Sequence, residues 1–182
     1  ELASTETPQG VIALVRPPPA RLDQMMSGSA LVVVLDGVQD PGNAGAILRA
    51  AEAFGASGAV FLKGTVNPYN PKCIRGSAGS VFRVPLVASI DAEEILRTGV
   101  EMSWYAAMPR AQMLASDADL AASCGIIIGS EGHGVGPLLA GHATGLRIPT
   151  SGVESLNAAV AAGILLYEAR RQRGARDAGG TS

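Results

Sequence analysis

The sequence predicts an α/β fold in which a mostly parallel sheet is flanked by helices. Several short runs are rich in β-branched residues and do not alternate apolar with polar positions, as in LVVVL at Leu31–Leu35. Such runs are typical of strands that are covered on both faces. Segments with helical periodicity lie between them, and this alternation favours a parallel sheet. Only 4% of the residues are aromatic while 23 are glycine, which indicates small-residue packing and many tight turns.

Seven segments fit the strand pattern. The first is short and stops at Arg16, immediately before three consecutive prolines, which lack the N–H group that a sheet requires. The others are mostly apolar runs of three to five residues that recur along the chain up to the last helical segment. The predicted strands are Val11–Val15, Leu31–Leu35, Ala59–Leu62, Val84–Val87, Trp104–Ala107, Ile126–Ile128 and Leu146–Ile148.

The first predicted helix follows the Leu31–Leu35 strand. Pro41 and Gly42 precede it, and Gly55 ends it, because proline suits the first turn of a helix and glycine the position just past its end. Its apolar residues recur at helical spacing and share one face. They are Ala44, Ile47, Leu48, Ala51 and Phe54.

Two further helices are predicted from their caps. Asp91 caps a helix that ends near Gly99. Ser155 caps the last and longest helix, and Gly174 follows its final arginines. The apolar positions of this last helix are Ala159, Ala162, Ile164, Leu165 and Ala169.

Charge and cysteine content exclude several classes of protein. Fourteen Lys and Arg against 16 Asp and Glu give a net charge of -2, which is not the strongly basic footprint of a stand-alone nucleic-acid binder. Cys73 and Cys124 match neither a disulfide framework nor a zinc-site spacing, so a reducing cytoplasm is expected. The most apolar stretch, Ala158–Leu166, is far shorter than the roughly 20 residues that cross a bilayer, and no signal-peptide pattern is present. No membrane association is expected.

The first candidate motif spans Asp36–Gly55, at the carboxyl end of a predicted central strand, where open α/β sheets bind ligands. It contains neither a phosphate-binding nor a dinucleotide-binding glycine fingerprint. Asn43 and Arg49 stand out on an otherwise apolar, alanine-rich segment. From this segment alone, a capping asparagine and a solvated arginine are the simpler explanation, and a ligand site is the alternative.

The second candidate motif is GIIIGSEGHGVG, Gly125–Gly136, in which a buried strand enters a glycine-rich loop with Glu131 near its centre. So much glycine indicates close backbone approach or positive φ, and a loop that wraps a ligand is at least as good an explanation as a plain connection. His133 is more readily structural or solvent-facing. With only His133 and His142 in the chain, no metal site is predicted.

The third candidate motif runs from the strand at Leu146 into the last helix. Ser155 and Asn157, taken alone, are explained by helix capping. A catalytic serine is not indicated, because the chain lacks a GxSxG turn and a histidine placed for a triad. The arginines near the end of this helix either complement the helix dipole or contact phosphate. They are Arg170, Arg171 and Arg173.

Taken together and in order, the three motifs resemble those of the SpoU/TrmH family of RNA ribose 2′-O-methyltransferases, within the SPOUT superfamily. The resemblance covers Leu31–Arg173. The segment Thr7–Val15 also resembles the junction at which many members join an N-terminal RNA-binding domain to the catalytic domain. The matching residues are Asn43 and Arg49 in the first motif, Gly129, Glu131 and Gly132 in the second, and Ile148, Pro149, Ser155, Leu156 and Asn157 in the third.

The resemblance implies a deep trefoil knot, which few folds contain, and a homodimer formed through the knot region. It implies S-adenosylmethionine as cofactor, without a metal, and RNA, ribosomal RNA first, as substrate. Arg49 is implied as the central catalytic residue, with four other side chains arranging it and the ribose. Those four are Asn43, Glu131, Ser155 and Asn157; the implied cofactor-binding residues are Gly129, Gly132, Ile148, Pro149 and Leu156.

A guanidinium group does not readily give up its proton near neutral pH. We therefore expect Arg49 to stabilise the developing alkoxide electrostatically, and Glu131 to orient Arg49 by a charge-assisted hydrogen bond. Basic residues in or near loops are expected to contact RNA phosphates. They are Lys63, Lys72, Arg75, Arg83, Arg110 and Arg147.

The expected domain division is a linker over residues 1–24, a methyltransferase domain over residues 25–174 and a flexible tail over residues 175–182. Two alternatives to a ribosomal RNA enzyme stay open. One is a transfer RNA ribose methyltransferase, and the other is a non-catalytic RNA-binding or ribosome-assembly factor with the same fold. A nicotinamide or nucleotide-phosphate enzyme is disfavoured, because the chain lacks the glycine fingerprint of either.

Overall fold

A parallel sheet forms the centre of the molecule in a computed structural model that describes residues 14–17 and 19–179. Within these residues the sheet has seven strands in the order β3-β2-β1-β6-β4-β7-β5, and every neighbouring pair is parallel. The predicted α/β class and parallel sheet are confirmed. The strands are β1 Leu31–Asp36, β2 Gly58–Leu62, β3 Leu86–Ile90, β4 Ser103–Ala107, β5 Met113–Leu114, β6 Cys124–Gly129 and β7 Thr144–Arg147.

The helices alternate with the strands along the chain. They are α1 Leu22–Met25, α2 Pro41–Ala53, α3 Pro71–Gly76, α4 Ala92–Thr98, α5 Pro137–His142 and α6 Ala158–Gly179. Two short 3₁₀ turns, Ser80–Phe82 and Ala115–Asp117, complete the regular structure of the described residues. Within this part of the chain, no helix is both long and apolar enough to cross a membrane.

Both faces of the sheet are buried, which explains why its strands lack apolar–polar alternation. In β1, alternate residues such as Val33 pack under α2 and α6, beside Ile47 and Leu165. The residues between them, such as Val34, pack on the opposite face with α1, α4 and α5, beside Ile95. A strand of this kind needs apolar side chains at every position.

Three predicted boundaries are wrong. The strand predicted at Val84–Val87 begins at Leu86, because Pro85 has no N–H group to donate to the sheet and only its carbonyl pairs, with the amide of Ala59. The last helix begins at Ala158, beyond the predicted Ser155 cap. It also continues through Gly174 to Gly179, since a glycine costs an exposed helix only about 1 kcal/mol.

One further predicted strand lies largely outside the described residues, and one predicted cap is correctly placed but bonds a different partner. The strand predicted at Val11–Val15 lies largely outside the described residues, and its last two residues, Leu14 and Val15, are exposed and outside any strand. The cap predicted at Asp91 is in the correct position, but its side chain bonds Lys63 at 2.6 Å and not the helix amides.

The sheet places all three candidate motifs at one edge. In parallel strands the carboxyl ends share an edge, and here Asp36 at the end of β1 is aligned with Gly129 at the end of β6. The first turn of α2, the loop after β6 and the loop from β7 to α6 therefore meet above this edge.

Candidate active site

A chain of side-chain hydrogen bonds joins the three motifs. Nδ2 of Asn43 donates to Oε1 of Glu131 at 2.6 Å, and Nδ2 of Asn157 donates to Oδ1 of Asn43 at 2.9 Å. Asn43 can serve both neighbours because an amide carries a donor and an acceptor. The three residues come from three different loops or helix starts, so the bonds fix these segments relative to one another.

Asn43 is positioned by the cap of α2. Asp40 is the N-cap residue, and its Oδ1 accepts a hydrogen bond from the backbone amide of Asn43 at 2.7 Å. Pro41 follows as the first helical residue, where its missing N–H costs nothing. The interpretation of Asn43 as the cap is therefore wrong, and its side chain is free to reach Glu131 and Asn157.

Asn157 both caps a helix and contributes to the site. Its Oδ1 accepts hydrogen bonds from the amides of Ala159 and Val160 at 2.9 and 3.3 Å, which satisfies the free amides of α6. Its Nδ2 points to Asn43. The predicted capping role of Ser155 is wrong, because Asn157 lies at the helix start and Ser155 is two residues further out, exposed beside a cavity.

The glycine-rich loop after β6 folds back on itself. Ser130 and Gly134 exchange backbone hydrogen bonds of 3.0 and 2.9 Å, which leaves Glu131 at the exposed tip. The loop lies so close to Gly129 that a Cβ there would be 2.2 Å from the carbonyl carbon of Gly134. Glycine is thus required at position 129 by the loop's own backbone.

The far end of this loop is held by Asp36, a residue that the motif analysis did not single out. Its Oδ2 accepts a hydrogen bond from the amide of Gly136 at 2.7 Å. The sequence could have indicated this residue, because an acidic side chain at the carboxyl end of a central parallel strand lies at the edge where loops converge.

A cavity of about 490 Å³ lies between this loop, the end of β7 and the start of α6. Its volume is in the range of small-molecule sites. Six of the ten predicted site residues line it, namely Gly129, Glu131, Ile148, Ser155, Leu156 and Asn157. Gly132 and Pro149 are exposed and lie outside its lining. The sequence analysis missed Met108, Pro109, Thr150 and Glu154, which also line it.

Arg49 lies apart from this group. It is exposed on α2, six residues after Asn43, and thus about 9 Å along the helix axis from it. Among the described residues it takes part in no side-chain hydrogen bond or ion pair. The expected hydrogen bond from Arg49 to Glu131 is therefore not formed, and the Glu131 carboxylate accepts one from Asn43 instead.

The predicted phosphate contacts divide into two groups. Three of the basic residues are neutralised by carboxylates: Lys63 by Asp91, Arg83 by Glu52, and Arg110 by Glu154 at a longer 3.8 Å. The other three, within the described part of the chain, form no ion pair. They are Lys72, Arg75 and Arg147.

The cysteines and histidines lie in ordinary environments. Cys73 and Cys124 are buried free thiols, and burial raises the pKa of Cys73 to about 11 and also raises the pKa of Cys124. His133 is exposed, in agreement with a solvent-facing role. Over residues 14–17 and 19–179, no three His, Cys, Asp or Glu side chains are grouped so that they could hold a metal ion.

Comparison with known proteins gives a consistent result. The SpoU rRNA Methylase family matches residues 30–167. The 23S rRNA (guanosine-2'-O-)-methyltransferase RlmB of Xanthomonas campestris is 40% identical over 156 residues, which cover 84% of this chain and 63% of that protein.

Solved structures agree. The SpoU methyltransferase AviRb from Streptomyces viridochromogenes, also solved in complex with the cofactor AdoMet, superposes with a TM-score of 0.80 at 31% identity, over 87% of this chain and 66% of that one. The AdoMet-bound rRNA methyltransferase from Sinorhizobium meliloti superposes with a TM-score of 0.78 at 33% identity, over 86% of this chain and 61% of that one.

The chain spans about two thirds or less of the length of each of these relatives. The family match nevertheless extends from the start of β1 into α6, and so contains the whole hydrogen-bonded group of Glu131, Asn43 and Asn157. The resemblance drawn from the three motifs is confirmed. The chain belongs to the SpoU rRNA Methylase family.

Proposed function

We propose that this protein transfers a methyl group from S-adenosylmethionine to a ribose 2′-hydroxyl of ribosomal RNA. The observation that carries the proposal is the hydrogen-bonded chain Glu131–Asn43–Asn157 beside a cavity of about 490 Å³. Membership of the family and the names of the relatives support the RNA substrate and the cofactor.

The cavity suits this cofactor in its chemistry. Its lining includes apolar side chains, among them Ile148 and Leu156, for the faces of an adenine ring. It also includes the carboxylates Glu131 and Glu154, and none of the described residues that line it is a lysine or arginine. A lining with carboxylates and no cation favours a ligand that carries positive sulfonium and ammonium groups.

The cofactor is assigned to Gly129, Ile148 and Leu156, with Gly132 and Pro149 at the margin. When bound, S-adenosylmethionine supplies an electrophilic methyl group on a sulfonium. In-line transfer requires close alignment of the reacting atoms, which rigid loops provide. The bonds between Asn43 and its two neighbours hold the loops in this arrangement before substrate arrives.

The remaining polar groups act on the ribose. Ser155 presents an exposed hydroxyl to the cavity, which can bond a sugar oxygen. Arg49 acts electrostatically on the developing negative oxygen, because a guanidinium keeps its proton and presents donors in a planar fork. Exposed and without a carboxylate partner among the described residues, its donors are available for RNA.

A homodimer is part of the proposal. Val160, Ile164 and Tyr167 lie on one face of α6 and are 50%, 38% and 55% exposed. Apolar residues at this spacing form a stripe that packs against another helix. The stripe begins one turn after Asn157, so a second copy seated on it would contact the protein beside the cavity. A trefoil knot in this region is likewise proposed, supported by the superposition on the relatives.

The domain division is proposed as residues 1–24 for a linker from an RNA-binding domain, 25–174 for the methyltransferase domain and 175–182 for a tail; the end of the linker packs on the domain through Leu22 of α1, and α6 continues into the tail as far as Gly179. Lys72, Arg75 and Arg147 are assigned to RNA phosphates, since no carboxylate in the described part of the chain pairs with them. A cytoplasmic location is proposed from the two free thiols and the ribosomal substrate.

Calorimetric titration with S-adenosylmethionine and S-adenosylhomocysteine tests the cofactor site, and transfer of labelled methyl to ribosomal RNA tests the reaction. Binding of both ligands with methylated ribose as product is the expected result. Cofactor binding without transfer to any ribosomal or transfer RNA would favour a non-catalytic RNA-binding factor. An Arg49→Lys variant that turns over at the full rate would contradict the role of the guanidinium fork.

A further inference from the structure

A second concave surface lies at the amino-terminal edge of the sheet, opposite the candidate active site. It is a cavity of about 660 Å³ between the loops that precede β1 and β6 and the ends of α2 and α6. Apart from Phe54, its lining is small or basic. The small lining residues include Gly28, Ser29, Ala121 and Ser123, and the basic ones are Arg170, Arg173 and Arg176.

Arg173 is part of the structure of this cavity, which we name the arginine pocket. Its Nη1 donates to the carbonyl of Ser29 at 2.7 Å, and its Nη2 donates to those of Ala30 and Ala122 at 2.8 and 2.6 Å. Its Nε donates to the carbonyl of Leu120 at 3.1 Å. Because carbonyl groups are neutral, the positive charge of Arg173 is held in place without being cancelled.

Arg170 and Arg176 flank Arg173 at spacings of three residues on the same side of α6. Both are exposed, and in the described part of the chain neither forms an ion pair or a side-chain hydrogen bond. Asp119, on an adjoining loop, turns its Oδ1 to the amides of Ala121 and Ala122. The pocket lining itself contains three arginines and no carboxylate among its described residues.

The helix dipole does not explain these arginines. Its influence falls off within the last turn of a helix. The helix α6 ends at Gly179, so Arg176 lies in its last turn, but Arg170 and Arg173 lie before it. A different role is therefore needed for at least Arg170, whose guanidinium bonds nothing among the described residues.

We propose that the arginine pocket binds a phosphodiester group of the RNA substrate, away from the methylated nucleotide. Guanidinium groups match phosphate oxygens in a bidentate fork, and the serine hydroxyls of Ser29 and Ser123 can add further donors. The small residues around them let a phosphate approach the backbone closely. This inference rests on the proposed RNA substrate and assigns to it a second contact.

The distance between the arginine pocket and the active-site cavity determines how many nucleotides of RNA separate the two contacts. Along α6, Arg173 lies about 22 Å from Ala158, which borders the active-site cavity. Successive phosphates on one strand of a duplex are spaced about 3.4 Å along the helix axis, so the two sites are several nucleotides apart. Arg173 lies on the side of α6 opposite Ile164, whereas Arg170 follows Tyr167 by three residues and Phe54 of the pocket packs edge-on against the Tyr167 ring, so the arginine pocket adjoins the apolar stripe.

RNA affinity across a range of salt concentrations tests the proposal. The probe is a fluorescently labelled hairpin of ribosomal RNA sequence, followed by anisotropy, with the parent chain, Arg170→Gln and Arg170→Gln/Arg176→Gln. Arg97→Gln is the matched control, because Arg97 is also exposed and forms no ion pair among the described residues but lies on α4. Arg173 is left unchanged, because its loss would disturb the fold.

We expect the double variant to bind RNA about tenfold more weakly, and the slope of log affinity against log salt to fall by about 2. The control should match the parent chain. Equal affinity and slope in the double variant, equal weakening in the control, or no RNA binding by the parent chain would each overturn the proposal. Parent and variants are also titrated with S-adenosylmethionine. If the parent chain does not bind this cofactor, the proposed function itself is wrong.

Titration with inorganic phosphate distinguishes a phosphate group of RNA from free phosphate as the ligand of the arginine pocket. If phosphate shifts the Nε–H resonance of Arg170 while the double variant keeps full RNA affinity, the pocket binds a free phosphate and the assignment to RNA is wrong. Competition between phosphate and the RNA hairpin at the same resonance is the result that we expect.

Discussion

Nδ2 of Asn157 donates a hydrogen bond of 2.9 Å to Oδ1 of Asn43, a residue 114 positions earlier in the chain. This bond joins the first turn of α2 to the start of α6. Since Asn43 in turn bonds Glu131, the two asparagines connect the glycine-rich loop to the long helix. Neither Nδ2 of Asn157 nor Oδ1 of Asn43 takes part in capping a helix. The bond between these atoms therefore serves the site and not the helix ends.

Asn43→Ala is expected to reduce methyl transfer strongly. The substitution removes the donor to Glu131 and the acceptor for Asn157, and hydrogen bonds to a charged group are worth about 1.5–3 kcal/mol. We therefore expect a loss of about 10- to 100-fold in kcat/KM on ribosomal RNA. The free energy of unfolding should change little, because Glu131 and Asn157 are exposed and can bond water. A variant with unchanged kcat/KM would exclude a role for Asn43 in arranging the site.

Asn157 allows the cap and the site to be separated. Serine can still cap α6 but lacks the Nδ2 donor, whereas alanine loses both functions. Asn157→Ala should lose about 1 kcal/mol of unfolding free energy in urea, and Asn157→Ser only a few tenths. Both should lose methyl transfer to a similar extent. If Asn157→Ser were as active as the parent chain, the bond to Asn43 would have no part in the reaction.

Gly129→Ala should abolish cofactor binding. Its added Cβ would lie 2.2 Å from the carbonyl carbon of Gly134, so the loop must move away from the cavity that it borders. Calorimetric titration with S-adenosylmethionine measures the effect. Gly141→Ala is the control, because Gly141 lies in α5 outside the cavity lining and a Cβ there meets nothing within 4 Å. Equal affinities for these two variants would contradict the assigned position of the cofactor.

Gly45→Ala should destabilise the packing of α2 on α3. A Cβ at Gly45 would lie 2.6 Å from the carbonyl oxygen of Cys73 and 2.8 Å from the amide of Ser77. Backbone atoms cannot move away cheaply, and we expect a loss of about 1–3 kcal/mol in chemical denaturation. Gly174→Ala, in an open part of α6, should instead gain up to about 1 kcal/mol. Stabilisation by both variants would mean that the α2–α3 contact is loose.

Acid should weaken the contact between α2 and the turn at Ser80–Phe82. Arg83 donates a hydrogen bond of 2.8 Å and Ser80 one of 2.6 Å to Glu52, and these bonds hold the pKa of that carboxyl at about 2, below its usual 4.5. A carboxyl whose pKa is lowered by folding stabilises the protein above pH 4.5, and this contribution disappears as the pH falls to about 2.

Thermal unfolding at several pH values measures this contribution. The Tm of Glu52→Gln should be lower than that of the parent chain near neutral pH, and the two should converge as the pH falls toward about 2. Glu101→Gln serves as the control, because Glu101 is exposed and forms no ion pair among the described residues. A Tm difference that is independent of pH would show that the ionised pair does not stabilise the fold.

Sequence patterns predicted the sheet better than the short elements. Runs such as Leu31–Leu35 are unambiguous, because a strand buried on both faces needs apolar residues throughout. The strand Met113–Leu114 has two residues and no β-branched side chain, and α3 and α5 have six residues each, too few to establish a helical period. These elements form because the surrounding structure buries them.

For the site, spacing identified the residues but not their partners. Asn43, Glu131 and Asn157 were all candidates, yet a bond between Glu131 and Arg49 was expected. Which donor reaches a carboxylate depends on how α2 lies against the loop, and this tertiary geometry leaves no local pattern. Ser155 was likewise expected to cap α6, because it and Asn157 are both good caps and only the start of the helix distinguishes them.

The four carbonyl bonds of Arg173 also have a kinetic consequence. They join residues as far apart as Ser29 and Arg173, 144 positions along the chain. Contacts with such large sequence separation are slow to close, and we expect these to form after the rate-limiting step of folding. Interactions absent from the transition state set the rate of unfolding. Arg173 is therefore expected to prolong the lifetime of the folded protein while leaving its refolding rate nearly unchanged.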